Sequence, residues 1–247
     1  MNLIIDIGNS TAKYSTFDAE GNCVTQLEGG RDDAQPLQQL LGTGDITRAI
    51  LSSVSETAEP LTSLLKTMNP TPLRLSESTP LPVKNGYGSP HTLGPDRIAA
   101  VVGARQLFPE SHVLVIDMGT CITYDLLTAD GIYRGGNIAP GMKMRFSAMH
   151  EHTARLPRVE YNGKWPGLMG CSTHEALTGG VMWGIRAEIE LYLQFLDKRW
   201  IEMRTILTGG DSHIFYTELK EDYPRMTLDE QLVARGLNCI LEYNDKI

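Results

Sequence analysis

The sequence predicts an α/β protein in which one arrangement of strands and helices occurs twice along the chain. Two observations carry this prediction. An apolar run that ends in Asp-x-Gly-[Asn/Thr], and then resumes as a β-branched and aromatic run, is found at Leu3–Tyr14 and again at Val113–Asp125. After each copy, strand-like segments are followed by alternating helical and strand-like segments. We therefore expect two mixed-sheet domains, residues 1–112 and 113–247, with helices around a central cleft.

The first copy begins with an antiparallel meander of three predicted strands: Asn2–Asp6, Ala12–Asp18 and Cys23–Leu27. A helix, a buried strand, a second helix and a short strand then alternate: Asp33–Leu41, Ala49–Val54, Glu56–Met68 and Leu73–Leu75. Three meander strands followed by this alternation form the ribonuclease-H-like pattern.

A loop and a helix join the two copies. Pro80–Leu93 is rich in Pro, Gly and Ser, which predicts an ordered loop over the cleft. The sequence Gly94-Pro95-Asp96-Arg97 has the proline and the acid that are typical of a helix start. Ile98–Ala104 continues this helix with apolar and small side chains, so we expect it to be deeply packed.

The second copy repeats the meander and adds longer helices. Its predicted strands are Val113–Asp117, Ile122–Leu127, Ile132–Arg134 and Thr205–Thr208, and its predicted helices are Met142–Glu151, His174–Trp200 and Asp229–Tyr243. The glycines of 135–141 indicate a backbone that runs close to a partner, either a ligand or the sheet itself. Thr153–Leu168 predicts irregular surface loops.

Each repeated turn has the composition of a phosphate and cation site. Leu3–Ile5 is apolar and therefore buried, so the carboxylate of Asp6 lies at the rim of a cleft, and Asp117 occupies the same position in the second copy. Gly8 and Gly119 allow main-chain N–H groups to approach an anion. Side chains that can donate hydrogen bonds to phosphate oxygens follow in both turns: Asn9, Ser10, Thr11 and Thr120.

The residues after each turn decide which kind of phosphate site is expected. In a Walker loop or a dinucleotide-binding fingerprint, the glycine turn opens a helix. Here Lys13–Phe17 and Ile122–Leu127 are rich in β-branched and aromatic residues, which predicts strands. The phosphate is therefore expected to lie in a β-hairpin.

Composition limits the classes of partner. A net charge of −8 argues against a general nucleic-acid surface and favours a local site or a metal ion for any anionic ligand. The four cysteines are scattered, as is typical of reduced thiols in a cytoplasm. No apolar run approaches the roughly 20 residues of a membrane span. We expect a soluble, cytoplasmic protein that binds neither membrane nor nucleic acid.

Asp96 has two interpretations. Its position explains it as an ordinary acid in the first turn of a helix. The functional interpretation is a general base, kept ionised by the helix terminus and by Arg97, that faces both phosphate turns.

Six motifs together resemble, in order and spacing, the type III pantothenate kinase family. They are Asp6–Ser10, Gly94–Arg97, Asp117–Thr120 with Asp125, Gly135–Gly141, the region of Thr173, and Thr208–Gly210. The resemblance runs from residue 3 to about residue 240. That family belongs to the superfamily of actin, sugar kinases and chaperone ATPases, whose duplicated core agrees with the repeat in this sequence.

The resemblance implies transfer of the γ-phosphate of ATP to the primary hydroxyl of pantothenate, which gives 4'-phosphopantothenate in the first step of coenzyme A biosynthesis. It implies that Thr120 and the residues of the first turn bind ATP: Asp6, Ile7, Gly8, Asn9, Ser10, Thr11, Ala12 and Lys13. Asp6 would hold Mg²⁺ through water molecules, and Asp117 would bind a monovalent cation, either K⁺ or NH₄⁺.

The resemblance also implies where pantothenate binds. Tyr87 and the segment Gly94, Pro95, Asp96 and Arg97 match the family's substrate contacts, with Asp96 as the proton acceptor. Thr173 matches a contact that is made across a dimer interface, so a homodimer is expected.

Two alternatives to a kinase remain open. The first is a hydrolase of the same superfamily that acts on polyphosphate or guanosine phosphates; the Gly94–Arg97 motif and the short chain argue against it. The second is a non-catalytic nucleotide-binding or regulatory protein. The presence of Asp6, Asp96 and Asp117 together disfavours it, because a protein without activity has no chemical need for all three.

Overall fold

The computed structural model describes residues 1–44, 46–54 and 56–246. Asp45, Ser55 and Ile247, which the two predicted domains include, lie outside these residues. In the described part, the strands are β1 (Asn2–Ile7), β2 (Thr11–Phe17), β3 (Cys23–Gly30), β4 (Arg48–Ser53), β5 (Leu73–Arg74), β6 (Lys84–Asn85), β7 (Val113–Met118), β8 (Cys121–Leu127), β9 (Ile132–Pro140), β10 (Arg204–Thr208) and β11 (Met226–Leu228). The α-helices are α1 (Gln35–Leu41), α2 (Leu61–Thr67), α3 (Pro95–Leu107), α4 (Met142–Glu151), α5 (Thr173–Arg199), α6 (Ser212–Leu219) and α7 (Leu232–Asn244).

The two sheets have the same strand order, which confirms the duplicated α/β fold. The first sheet has the order β3-β2-β1-β4-β5, and the second has β9-β8-β7-β10-β11 with β6 added beside β9. In both, the first two strands form an antiparallel hairpin and the fourth lies parallel to the first. Asp6 consequently pairs with Ser52 in one sheet, as Asp117 pairs with Thr208 in the other.

The sheets and helices form layers around three cores. A central core lies between the sheets and contains α3 and α7. The outer face of the first sheet packs on α1 and α2, and the outer face of the second packs on α4, α5 and α6. Side chains alternate between these cores along each strand, as the pleat requires. Ile4 and Val115 therefore enter the central core, whereas Leu3 and Leu114 enter the outer cores.

Helices α3 and α7 cross at very short distance in the central core. A Cβ atom at Gly236 would lie 1.8 Å from the carbonyl oxygen of Ala99, and one at Gly103 would lie 2.4 Å from that of Leu232. Only glycine permits this approach. The segment Ile98–Ala104, which was predicted to be deeply packed, is indeed buried in the core between the two sheets.

Elements also cross the predicted boundary at residue 112. Strand β6 precedes that residue but pairs with β9 of the second sheet, and α7 follows it but contacts β1 and β4 of the first sheet. The division into 1–112 and 113–247 stays a prediction. No helix in the described residues combines the length and apolar character needed to cross a membrane.

Several predicted boundaries were wrong. The helix predicted for Glu56–Met68 begins only at Leu61, immediately after Pro60, which has no N–H to donate. The strand predicted to end at Arg134 continues as β9 to Pro140, so the sheet itself is the close partner of the glycines of 135–141. Strand β6 and a 3₁₀ turn at Pro90–Thr92 lie within the predicted loop. Helix α6 and strand β11 were not predicted.

Candidate active site

A cleft of about 590 Å³ lies between the sheets, where the two repeated hairpins face each other. Strand alternation explains why both repeated aspartates face it. Asp6 lies two residues after Ile4 and Asp117 two residues after Val115, so both carboxylates point to the side of the central core. The pattern that buries the strands therefore also directs the two acids to one place.

The first hairpin presents main-chain and hydroxyl donors to the cleft. The N–H of Gly8 donates to the carbonyl oxygen of Thr11 at 2.9 Å and closes the turn. The cleft is lined there by six of the eight first-turn residues that were predicted to bind ATP: Asp6, Gly8, Asn9, Ser10, Thr11 and Lys13. The side chains of Ile7 and Ala12 are buried in the outer core of the first sheet. Only the main chain of those two residues is available to a ligand.

The second hairpin also closes through the N–H of its glycine, over a turn that is one residue shorter. The N–H of Gly119 donates to the carbonyl oxygen of Cys121 at 3.0 Å, and Thr120 is exposed at the tip. The hydroxyl oxygens of Ser10 and Thr120 lie 3.2 Å apart, so the two tips touch across the cleft. A polyphosphate bound there would contact both hairpins.

The Asp117 carboxylate is enclosed by the end of β10. Gly209 follows that strand with a φ of +89°, and a Cβ atom on it would lie 2.4 Å from Oδ1 of Asp117. Glycine is required here both for the backbone conformation and for the space. In the first sheet, Ser52 is the counterpart of Thr208, and its hydroxyl donates to Oδ1 of Asp6 at 3.0 Å.

Asp96 enters the same cleft from the start of α3. Its Oδ1 accepts a hydrogen bond from the main-chain N–H of Arg97 at 2.9 Å. A Cβ atom at Gly94 would lie 2.4 Å from that same oxygen, so the preceding glycine gives the carboxylate its room. The helix terminus thus fixes Asp96 while leaving it in the cleft, which is compatible with both interpretations drawn from the sequence.

The three aspartates repel one another. Burial, followed by the charge of Asp96, raises the pKa of Asp6 from 3.8 to about 6, while Ser52 and Lys13 oppose the shift. Burial and the charges of Asp96 and Asp6 raise the pKa of Asp117 to about 7. Burial also raises the pKa of Asp96.

The negative charge of this cluster is offset only in part among the described residues: Lys13 lowers the pKa of Asp6 and Asp117, and Arg97 lowers that of Asp96. Its oxygen donors are those that Mg²⁺ and K⁺ prefer, so the residues present fit the expected cations. In the part of the chain that is described, no three His, Cys, Asp or Glu side chains form a ready-made metal-binding group.

The other predicted pantothenate contacts lie beside Asp96 rather than on the cleft wall. Arg97 is buried and its guanidinium bonds to Asp125. Tyr87 stacks on Tyr133, with ring centroids 5.9 Å apart. Gly94 and Pro95 begin α3. These residues form one group at the edge of the cleft that contains the carboxylate of Asp96.

Thr173 is not brought to the cleft of its own chain. It is the first residue of α5, which packs on the outer face of the second sheet, and its side chain is exposed. Any contact of Thr173 with a ligand in the cleft would therefore involve a second copy of the chain.

Sequence reasoning missed part of the cleft wall. Side chains from α4, β3 and the start of α7 also line it: Gln26, Glu28, Lys143, Ser147, Glu230 and Val233. None lies in a repeated turn. The one available signal was that α4 directly follows β9. The end of β9 lies beside the tip of the second hairpin, where the N–H of Gly141 donates to the carbonyl oxygen of Thr120 at 3.0 Å.

Comparison with known proteins identifies the fold. The chain is similar to the activator of 2-hydroxyisocaproyl-CoA dehydratase from Clostridium difficile, solved with bound ADPNP, with a TM-score of 0.57, 14% identity and coverage of 100% of this chain and 97% of that one. Solved structures of this kind show the actin-like ATPase and sugar-kinase fold, which confirms the expected fold class.

A further solved structure is similar over the whole chain. It is a conserved protein from Campylobacter jejuni described as a member of the Baf family of transcriptional activators. Its TM-score is 0.63 at 25% identity, with coverage of 99% of this chain and 100% of that one.

The sequence comparisons agree over almost the whole length. A protein named type III pantothenate kinase from Phocaeicola vulgatus is 44% identical over 247 residues, which cover 100% of both chains. One of the same name from Bacteroides fragilis is 42% identical over 245 residues, 99% of each chain. The family model described as type III pantothenate kinase matches residues 2–194. The chain is therefore a kinase and belongs to the type III pantothenate kinase family.

Proposed function

We propose that this kinase transfers the γ-phosphate of ATP to the primary hydroxyl of pantothenate and forms 4'-phosphopantothenate, the first step of coenzyme A biosynthesis. The observation that carries the proposal is that Asp96 shares one cleft with both phosphate hairpins. A hydroxyl held by Asp96 would therefore stand next to a phosphate held by the hairpins. Phosphoryl transfer depends mainly on such positioning and on neutralisation of charge.

The hairpins are suited to hold the phosphates of ATP. Ser10, Thr11 and Thr120 line the cleft, and their hydroxyls would donate to phosphate oxygens together with main-chain N–H groups of the two turns. Bound Mg²⁺ would neutralise phosphate charge, and Asp6 is the residue that would hold it, through water molecules. Asp117 would hold K⁺ or NH₄⁺. Lys13, opposite Asp6 in the hairpin, adds a positive charge at the same place.

Asp96 would accept the proton of the pantothenate hydroxyl. Its carboxylate is held by the N–H of Arg97 and is not engaged by a side-chain cation in a direct bond among the described residues. A general base of this kind typically contributes about 10²- to 10⁴-fold to the rate. Tyr87, Gly94, Pro95 and Arg97 would hold the rest of the substrate beside it.

A homodimer would complete the substrate site. Large apolar side chains are exposed before and along α5, where Thr173 begins the helix: Leu168 at 70%, Met169 at 83%, Leu191 at 54% and Phe195 at 65%. Large apolar side chains that are exposed to this degree are typical of an interface. We infer that this face binds a second copy and that Thr173 of the partner subunit reaches pantothenate.

The test is an assay of ADP release with MgATP, with and without pantothenate, run in potassium salt and again in sodium salt, with the phosphorylated product identified by mass spectrometry. The proposal requires pantothenate-dependent ADP release and a phosphopantothenate product. A requirement for potassium would support the role of Asp117. ADP and phosphate release that is indifferent to pantothenate would instead support the hydrolase, and absence of any turnover would support the regulatory protein.

A further inference from the structure

A buried ion pair lies directly behind Asp96. The guanidinium of Arg97 donates from Nε to both carboxylate oxygens of Asp125, at 3.0 and 3.2 Å, and from Nη2 to Oδ1. Arg97 is 6% exposed and Asp125 is fully buried. Asp125 lies on β8, so the pair ties the first turn of α3 to the second sheet.

A tyrosine fixes the acid of this pair. The hydroxyl of Tyr133, on β9, donates to Oδ1 of Asp125 at 2.7 Å, and its side chain is fully buried. Gly136 closes the other side, because a Cβ atom there would lie 2.9 Å from the same oxygen and 1.7 Å from the carbonyl oxygen of Tyr124. The Asp125 carboxylate therefore has little room to move.

Tyr87 packs against both Tyr133 and Arg97. Its ring stacks on that of Tyr133 at an interplanar angle of 15°, and the guanidinium carbon of Arg97 lies 5.5 Å from its centroid. Both Tyr87 and Arg97 are proposed pantothenate contacts. Asp125 and Tyr133 are not, yet each contacts one or both of them.

Stability alone is a poor reason for this arrangement. Removing two charges from water costs more than many ion pairs return, and apolar residues of similar size often stabilise a core better. Burial by itself would lower the pKa of Arg97, but its hydrogen bonds and charge interaction with Asp125 reverse the effect and hold the guanidinium ionised. Asp125 occupies donors on two of the three guanidinium nitrogens, and a side-chain hydrogen bond with Tyr87 also raises the pKa of Arg97.

We propose that Asp125 and Tyr133 are positioning residues of the reaction: they fix Arg97, and through it the carboxylate of Asp96 and the ring of Tyr87, in the arrangement that pantothenate needs. The inference rests on the proposed function of the cleft. Neither residue is assigned a contact with the reacting atoms. Their effect would be transmitted through Arg97, whose main-chain N–H already holds Oδ1 of Asp96.

The test compares Tyr133→Phe with Tyr124→Phe in the full chain. Both tyrosines are at most 2% exposed, lie in the second sheet and bond through the hydroxyl to a carboxylate, Tyr133 to Asp125 and Tyr124 to Glu188. Tyr124 faces the outer core, away from Arg97. Both variants lose a buried hydroxyl, but only Tyr133→Phe also removes a hydrogen bond from the carboxylate that holds Arg97. A difference between the two variants therefore reports on the positioning of Arg97.

The measured quantities are kcat, KM for pantothenate, KM for ATP and the thermal midpoint. Tyr133→Phe should lower kcat/KM for pantothenate by about tenfold or more, since small displacements of binding groups can cost on the order of 10²-fold. KM for ATP should change by less than about twofold, and the midpoint should fall no further than in Tyr124→Phe. Tyr124→Phe should keep all three kinetic constants near those of the wild type.

The inference is overturned if both variants have the same kcat/KM for pantothenate, or if Tyr133→Phe fails to fold while Tyr124→Phe folds. It is also overturned if KM for ATP rises as much as KM for pantothenate, because the defect would then be general. A wild-type chain that releases no ADP in response to pantothenate would contradict the proposed function itself. The two failures are therefore distinguishable.

Discussion

The hydroxyl oxygens of Ser10 and Thr120 lie 3.2 Å apart, although 110 residues separate them in the chain. This contact joins the tips of the two hairpins that contain the repeated Asp-x-Gly-[Asn/Thr] motif. A ligand with several phosphate groups can bind both tips only because they meet here.

Removing either hydroxyl should therefore weaken nucleotide binding. We expect Ser10→Ala and Thr120→Ala each to raise the Kd for MgATP by about tenfold or more, since a hydrogen bond to a charged group contributes about 1.5–3 kcal/mol and about 1.4 kcal/mol is tenfold. Calorimetric titration measures this, with Thr217→Ala on α6 as the control, since that hydroxyl donates to the carbonyl oxygen of His213 in its own helix. Unchanged affinity in both hairpin variants would mean that the phosphates bind elsewhere.

The clustered aspartates should make the ion-free protein less stable as the pH rises. In the folded state the pKa of Asp6 is about 6 and that of Asp117 about 7, against 3.8 for the ordinary group. The folded state thus holds these protons more tightly than the unfolded state does. The free energy of unfolding should therefore fall as the pH rises from about 4 to about 7, because ionising the two carboxyl groups costs more free energy in the folded state than in the unfolded state.

Urea unfolding of the wild type and of the double variant Asp6→Asn/Asp117→Asn measures this effect. The double variant lacks both charges and should lose less stability over the same range, by an amount on the order of 1–2 kcal/mol. Adding Mg²⁺ and K⁺ should reduce the loss in the wild type alone. Parallel pH profiles of the two proteins would contradict the proposed repulsion.

The crossing of α3 and α7 predicts a sharp stability difference between two glycines. At Gly236 a Cβ atom would lie 1.8 Å from the carbonyl oxygen of Ala99, whereas at Gly184, on α5, it would meet only Nη1 of Arg145 at 3.9 Å. Gly236→Ala should destabilise by about 1–3 kcal/mol or more, because main-chain atoms must move. Gly184→Ala should stabilise by up to about 1 kcal/mol, as alanine favours a helix. Equal effects in denaturant unfolding would refute the close crossing.

The exposed apolar face of α5 predicts the assembly state. Phe195→Glu should shift the protein toward a monomer in sedimentation velocity, because it places a charge in the proposed interface. It should also raise KM for pantothenate, since Thr173 would no longer reach the neighbouring site. Val24→Glu, at a 56% exposed apolar residue on the edge strand β3, is the matched control and should leave the assembly unchanged. A wild type that sediments as a monomer would contradict the interface.

The repeat around Asp6 and Asp117 was sufficient to predict the hairpins, the duplicated sheet order and the meeting of both acids in one cleft. Strand alternation, which directs Ile4 and Asp6 to the same face, is a local property that a sequence reports well. Helix α6 and strand β11 escaped prediction because they are short and lie between turn residues such as Gly210 and Pro224. Their place is decided by packing on the second sheet rather than by local pattern.

Contacts between side chains that are distant in sequence could not be predicted either. The pairing of Arg97 with Asp125 depends on how α3 lies on β8, and Asp125 was predicted only as part of a motif. Lys143 lines the cleft because α4 directly follows β9, whose end pairs with the start of β8 beside the second hairpin turn. The residue type alone does not reveal this. Charged residues have no periodic signal comparable to that of the buried strands.

Asp96 is proposed to activate the acceptor hydroxyl in a cleft whose hairpins would hold ATP. The most direct measurement is the pantothenate-dependent rate of ADP release for Asp96→Asn, alongside calorimetric binding of MgATP to the same variant. We predict a fall in kcat of about 10²- to 10⁴-fold with the Kd for MgATP unchanged within about threefold. A variant that retains wild-type turnover, or that loses ATP binding in proportion to turnover, would contradict the role of Asp96 as the proton acceptor.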